Sequence, residues 1–244
     1  MEHSTASAES SAESHSVAPG PADTSPGAAV AEPRVRALGR SDYLATWQAM
    51  RAFTAARDAA VADEFWLTEH PPVYTLGQAG RTAHLRAPGD IPVVRCDRGG
   101  QVTYHGPGQV VLYVLVDLRR RALGVRPMVR LLERCVIDWL GNRGIRAHGR
   151  DDAPGVYVGE AKVAALGLKV SRGATYHGLA LNVDVDLAPF DRIDPCGYPG
   201  QSVTRTRDLG VVAGVDEAGR ELATGLARLL RAHPPSVGSP PPTA

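Results

Sequence analysis

The sequence predicts an α+β domain, with strands gathered in hairpin groups and helices standing apart, rather than a repeated βαβ wind. Two observations carry this. Short apolar runs bounded by Pro and Gly recur through the middle of the chain, and three separate stretches read as helices.

Ser41 is placed as the N-cap of SDYLATWQAMRAFTAARDAAVADE, in which Tyr43, Trp47, Met50 and Phe53 recur at three- and four-residue spacing. FWLTEH and PVYTLG follow as short strands, separated by Pro71 and Pro72, which cannot occupy a central ladder position. IPVVRCD is a third strand and leads into RGGQVTYHGPGQ, read as a glycine-lined loop. VVLYVLVDL is apolar until Asp117 and suits a strand buried on both faces. RPMVRLLERCVIDWLGNRG is a long helix, stopped at Gly141 or Gly144. VYVGEAKVAALGLKV folds back on itself at Gly159-Glu160, which puts Lys162 at the start of the return strand. HGLALNVDVDL adds a strand, PFDRIDPCGYPG a loop, and DEAGRELATGLARLLRAH a closing helix.

The 244 residues suffice for one sizeable core, and a net charge of +1 gives no bulk reason to expect nucleic acid or a membrane surface as partner. No apolar run approaches the ~18 residues that span a bilayer. Residues 1–33 are mainly Ala, Ser, Glu, Pro and Gly, with no Lys or Arg, and fit neither a signal nor a transit peptide. We therefore expect a disordered tail over 1–33, one domain over 34–235 and a second Pro-rich tail over 236–244. Cys96, Cys135 and Cys196, in a chain without a secretory signal, point to reduced thiols and a cytoplasmic protein. Their spacings match no zinc pattern, so neither metal nor cofactor is expected.

Cys196 carries the chemistry in this reading. A cysteine kept for packing falls on an apolar stripe, as Cys135 does beside Leu131, Leu132, Val136 and Trp139, and as Cys96 does near Val94. Cys196 instead sits between Pro195 and Gly197, where a bent backbone presents its thiol as a nucleophile. Of 27 basic residues only Lys162 and Lys169 are lysines, so a retained lysine suggests a task that a guanidinium cannot perform. Val163, Ala164, Ala165 and Leu166 follow Lys162, and such surroundings favour a neutral amine able to carry protons. His105 and His177, in TYHGPGQ and TYHGLAL, compete with Lys162 as the base for Cys196. The glycines of RGGQVTYHGPGQ imply positive φ angles or close approach of something bound, with Arg98 and His105 as polar contacts. Phosphate-loop patterns are absent, which disfavours a nucleotide.

Together, EHPPVYTLG (69–77), RGGQVTYHGPGQ (98–109), GEAKVAALGLKV (159–170), TYHGLALNV (175–183) and DPCGYPG (194–200) resemble the lipoyl(octanoyl) transferase family. The resemblance implies the biotin and lipoate protein ligase catalytic fold, a mixed sheet with flanking helices, and a Cys196–Lys162 dyad. It also implies that an acyl chain lies along Arg98, Gly99, Gly100, Gln101, Val102, Thr103, Tyr104 and His105, along Ala165, Leu166 and Gly167, and along Gly178, Leu179 and Ala180. The implied partners are octanoyl-acyl carrier protein as donor, with lipoyl domains of 2-oxoacid dehydrogenase complexes and the glycine cleavage H protein as acceptors. No ATP is needed, since exchanging a thioester for an amide is downhill. An ATP-dependent ligase on the same fold needs no cysteine nucleophile, and a non-catalytic acyl-binding module would tolerate loss of Cys196. Acyl carrier proteins are acidic, so the densest basic run, Arg119, Arg120, Arg121, Arg126 and Arg130, is a candidate docking surface, although a solvated helix face is the commoner reading of such a run.

Overall fold

The structure is a computed structural model and describes residues 1, 31–195 and 200–233. Most of the N-terminal tail, Cys196 and the C-terminal tail lie outside the described residues. The strands are β1 (Arg34–Arg40), β2 (Glu64–Glu69), β3 (Val73–Leu76), β4 (Val93–Arg95), β5 (Val102–His105), β6 (Gln109–Leu115), β7 (His148–Gly149), β8 (Gly155–Val158), β9 (Ala161–Ser171) and β10 (Ala174–Asn182). The helices are α1 (Tyr43–Ala56), α2 (Val125–Gly141) and α3 (Val215–Arg231).

The expected doubly buried strand is β6, buried along its whole length. Its alternation feeds two cores. Val110, Leu112 and Val114 enter a large cluster with Leu132 and Val136 of α2 and Leu222 and Leu226 of α3, whereas Val111, Tyr113 and Leu115 join Met50 of α1 on the opposite face. β6 lies within a seven-stranded sheet of order β1-β2-β6-β10-β9-β8-β7, parallel between β1 and β2 and antiparallel elsewhere. A three-stranded sheet of order β4-β3-β5 lies apart from it. The fold is therefore α+β with mixed sheets, as the hairpin grouping predicts.

Helix placement follows sequence chemistry. In α3, Leu222, Leu226 and Leu230 form the buried stripe, while Asp216 and Glu217 in the first turn and Arg228 and Arg231 in the last complement the helix dipole. Cys135 is buried on α2, where its thiol donates to the Leu222 carbonyl, in keeping with a packing cysteine. The β8–β9 turn is at Gly159 and Glu160, with Gly159 at φ +55°, and Lys162 begins the return strand as expected.

Several expectations are corrected. The N-cap of α1 is Asp42, whose Oδ1 accepts from the Ala45 N–H at 2.8 Å, whereas the Ser41 hydroxyl bonds those of Thr46 and Thr68. α1 ends at Ala56 rather than running to Glu64, because Arg57 turns extended and sends its guanidinium to the Leu115 carbonyl and the Asp63 carboxylate. VTYH within the expected glycine loop is strand β5, antiparallel to β3. β1 and β7 were not anticipated; β1 is a mostly exposed edge strand without a buried alternation to reveal it. FWLTEH and PVYTLG fall in different sheets, with the two prolines at the crossing.

Two members of the basic run turn inward, while Arg119, Arg126 and Arg130 are exposed. Arg120 and Arg121 turn inward and meet Asp63 at 2.6 and 2.7 Å, joined by Arg57 at 2.7 Å, and the Asp63 side chain is fully buried. Those arginines are held by a buried carboxylate and are not a free docking face. Arg121 also accepts the chain before β1, donating to the Ala31 carbonyl, and Arg231 pairs with Glu32. No helix among the described residues is long and apolar enough to cross a membrane.

Removing the Asp63 carboxylate strands buried cations, so Asp63→Ala is expected to lose about 3–5 kcal/mol of stability. Urea unfolding at neutral pH measures it, and a loss under about 1 kcal/mol would show that the cluster is not buried as described.

Candidate active site

On the sheet face opposite α2 and α3, α1 covers one end and the β4-β3-β5 sheet with its 98–101 loop faces the rest. Between them lies a narrow cleft of about 50 Å³. Strand register builds its floor. Ala165 of β9 pairs with Ala180 of β10, which pairs with Val111 of β6; one step along, Gly167, Gly178 and Tyr113 are aligned in the same way. The glycines are required by close approach. A Cβ on Gly178 would lie 2.1 Å from the Leu112 carbonyl oxygen, and one on Gly167 2.9 Å from that of Gly99.

A bulge aims Lys162 at this side. Val156 pairs with Ala164 but Tyr157 pairs with Lys162, so Val163 is an extra residue in β9. Val163 and Ala164 both enter the core under α2 and α3, which places Lys162 and Ala165, three apart, on the same cleft-facing side. Lys162 is only 4% exposed, with Nζ 3.4 Å from the Pro154 carbonyl oxygen and 5.1 Å from the centre of the Tyr157 ring. A Cβ on Gly155 would meet its Cε at 3.0 Å, so glycine makes room for the lysine stem. Ser202 and Thr204 clasp its backbone, the Lys162 N–H donating to the Ser202 carbonyl and the Thr204 N–H to the Lys162 carbonyl. Cys196 lies outside the described residues, six positions before Ser202 in sequence.

The roof is polar but carries little net proton chemistry. Arg98 is buried and donates to the Thr75 carbonyl at 2.6 Å, the Thr75 hydroxyl at 2.8 Å and the carbonyls of Gly99 and Gln101. Among the described residues no carboxylate pairs with it. His105 Nδ1–H donates to Gln109 Oε1 at 2.7 Å, since the Gln109 amide nitrogen is already given to Asn182 and Tyr104. Burial, with His70 and Arg98 nearby, pushes the His105 imidazole down to about 3. His70 Nδ1–H donates to the Ser41 carbonyl at 2.7 Å, which leaves Nε2 to accept from the Tyr113 hydroxyl at 2.6 Å. Burial also lowers the His70 pKa.

His177 breaks the strand rule. Leu179 and Leu181 point into the core below α2 and α3, while Tyr176 and Ala180 point to the other side, so alternation would bury His177 with the leucines. Its φ of +62° turns it to the cleft, where Nε2–H donates to Asp97 at 2.9 Å. Such a conformation in a histidine is held by its surroundings and gathers at working sites. Burial lowers the His177 pKa. Burial would raise that of Asp97, but hydrogen bonds from His177, Tyr176 and Trp47 outweigh it and hold the carboxyl well below the usual range.

The structure thus brings most of the sequence-predicted acyl residues to one cleft. Arg98, Gly100, Gln101, Val102, Thr103 and His105 form its roof, and Ala165, Leu166, Gly167, Gly178, Leu179 and Ala180 its floor. Gly99 and Tyr104 are off the wall. The Gly99 N–H ties the roof to β9 through the Leu168 carbonyl, and Tyr104 packs on Tyr74 and Phe190 behind β5. The sequence reading missed Tyr43, Val111 and Tyr113, which also line the cleft, and the His70 and Asp97 partners behind it. The alternation of β6 could have supplied Val111 and Tyr113; nothing in the sequence marked Asp97, and His70, though within EHPPVYTLG, was given no role.

With their pKa values depressed, these histidines stay neutral in the folded chain where they would be charged when unfolded. The unfolded state then binds more protons, so stability falls as pH drops below 6.5, the loss from His105 continuing to about 3. Ring NMR should find His105 neutral at pH 5, and a midpoint near 6.5 would contradict its burial.

Residues 42–227 match the model of the lipoyl protein ligase A/B catalytic domain. An octanoyltransferase of Thiobacillus denitrificans is 61% identical over 196 residues, covering 80% of this chain and 90% of that protein. A bipartite lipoate protein ligase with its E2 lipoyl domain from Thermoplasma acidophilum shares the fold at a TM-score of 0.60 and 17% identity, over 82% of this chain and 84% of that one. The biotin protein ligase of Aquifex aeolicus, in complex with biotin and ATP, does so at 0.55 and 12%, over 83% and 72%.

Proposed function

The chain belongs to the lipoyl protein ligase A/B catalytic-domain family, and on that premise we propose that it is an octanoyltransferase of protein lipoylation. The observation that carries this is the 61% identity to an octanoyltransferase over 90% of that protein's length. The cleft supports it, being floored by alanines and glycines that suit an unbranched acyl chain. In this reading the donor is an octanoyl thioester on acyl carrier protein, and the acceptor is a lysine of a lipoyl domain. ATP-dependent ligases share the fold, but DPCG keeps a cysteine that adenylate chemistry does not need.

The reaction has two halves. The Cys196 thiolate attacks the octanoyl carbonyl carbon, a C–S bond to the enzyme forms, and the C–S bond to the carrier breaks. Lys162 takes the cysteine proton and passes it to the departing carrier sulfur, so a free carrier thiol leaves. The acceptor ε-amine then attacks the acyl-cysteine, the C–N bond forms, the C–S bond breaks, and Lys162 returns the amine proton to Cys196. Burial of Lys162, clasped by Ser202 and Thr204, favours one fixed position for this shuttle.

Lys162→Arg keeps the charge but not the exchangeable proton, since a guanidinium stays protonated above pH 12. Single-turnover transfer to a lipoyl domain is expected to fall by roughly 10²-fold or more, while Lys169→Arg stays near the wild-type rate. Near-wild-type transfer by Lys162→Arg would return the proton shuttle to another group.

A further inference from the structure

We propose that Tyr113, braced by His70, is the stop that sets acyl-chain length in this cleft. The inference rests on the octanoyl-transfer reading for its ligand and for the end at which the chain enters.

The floor is bare along β9 and β10 and ends at β6. Ala165 and Gly167 are followed across the sheet by Ala180 and Gly178, and then by the larger Val111 and Tyr113. Gly178 cannot gain a side chain without striking β6, so this strip stays open by construction. Lys162 stands at the β8–β9 end, which makes that end the reactive one. A chain entering there runs toward β6. From β9 to β6 the floor runs two inter-strand steps of about 4.8 Å, roughly 10 Å, with the Tyr113 row two residues beyond the Ala165 row. Seven C–C bonds of about 1.5 Å zigzag to roughly 9 Å, the length of an eight-carbon acyl group. The next carbons would meet Tyr113.

Tyr113 is fixed in place. Its hydroxyl donates to His70 Nε2 at 2.6 Å, and His70 is itself tied through Nδ1–H to the Ser41 carbonyl ahead of α1. Its ring packs against those of His70 and His177. Behind it, Trp66 of β2 pairs with Tyr113 and is buried, so the wall has no space to yield.

The test compares full-length wild type, Tyr113→Ala and Tyr113→Phe. Calorimetric binding of free six-, eight-, ten- and twelve-carbon fatty acids reads the length profile without any transfer step. Competition among the matching acyl-carrier thioesters reads it in kcat/KM. Wild type should prefer eight carbons. Tyr113→Ala should raise the twelve-over-eight ratio about tenfold or more, the scale expected when apolar space is added to a pocket. Tyr113→Phe should keep the wild-type length order, because the ring remains. Ala180→Val, which narrows the floor instead of opening its end, should shift preference toward six carbons and serves if Tyr113→Ala does not fold. Wild type binding dodecanoate as well as octanoate, or unchanged length ratios in folded Tyr113→Ala or Ala180→Val, would overturn the stop. Loss of transfer with the length profile intact in binding would instead count against the proposed function and leave the stop standing.

Discussion

A central strand with two buried faces is the constraint on which this structure depends. β6 must be covered on both sides, and α2 and α3 cover one of them completely. α1 covers only part of the other, over Tyr113, Leu115 and Tyr176. The remaining stretch is roofed by a second, small sheet that does not interdigitate with it, and the space left between the two is the cleft. Filling it from below is prevented by the alanines and glycines that β9 and β10 present there.

The same burial governs the electrostatics. Arg98 is held among neutral carbonyls and a hydroxyl, and the adjacent histidines have lowered pKa values and so stay uncharged. The one charged acceptor in this network, Asp97, is occupied by Trp47, Tyr176 and His177. Mobile protons are therefore not supplied by the roof. In the proposed reaction that task falls to Lys162, set on the cleft-facing side of β9 by a bulge. Its position argues for a division of labour, with the histidines shaping the cleft and the lysine serving the reaction.

What could be read in advance divides by range. Local period disclosed β6, the Cys135 stripe of α2, the turn at Gly159 and Glu160, and α3, because each depends on neighbours a few residues away. Contacts between distant segments were not legible. Asp63 gathers Arg57, Arg120 and Arg121 across the chain, so two arginines of a run that reads as a surface patch in fact turn inward. β5 was hidden among glycines because its strand character comes from pairing with β3. The turned His177 and the bulge at Val163 break the alternation that strand reading assumes, and both lie at the cleft. Most of the residues expected from the family resemblance to meet an acyl chain lie together here; the resemblance assigned no role to their neighbours His70, Asp97 and Tyr113.

In the proposed reaction an acyl group passes through the protein covalently. Intact-mass measurement of the full-length chain, incubated with octanoyl-acyl carrier protein and no ATP, tests this most directly. The account predicts one added octanoyl group, mapped by peptide analysis to Cys196 and discharged when a lipoyl domain is added. An unmodified protein that still transfers octanoyl, or an adduct mapped to another residue, would contradict it.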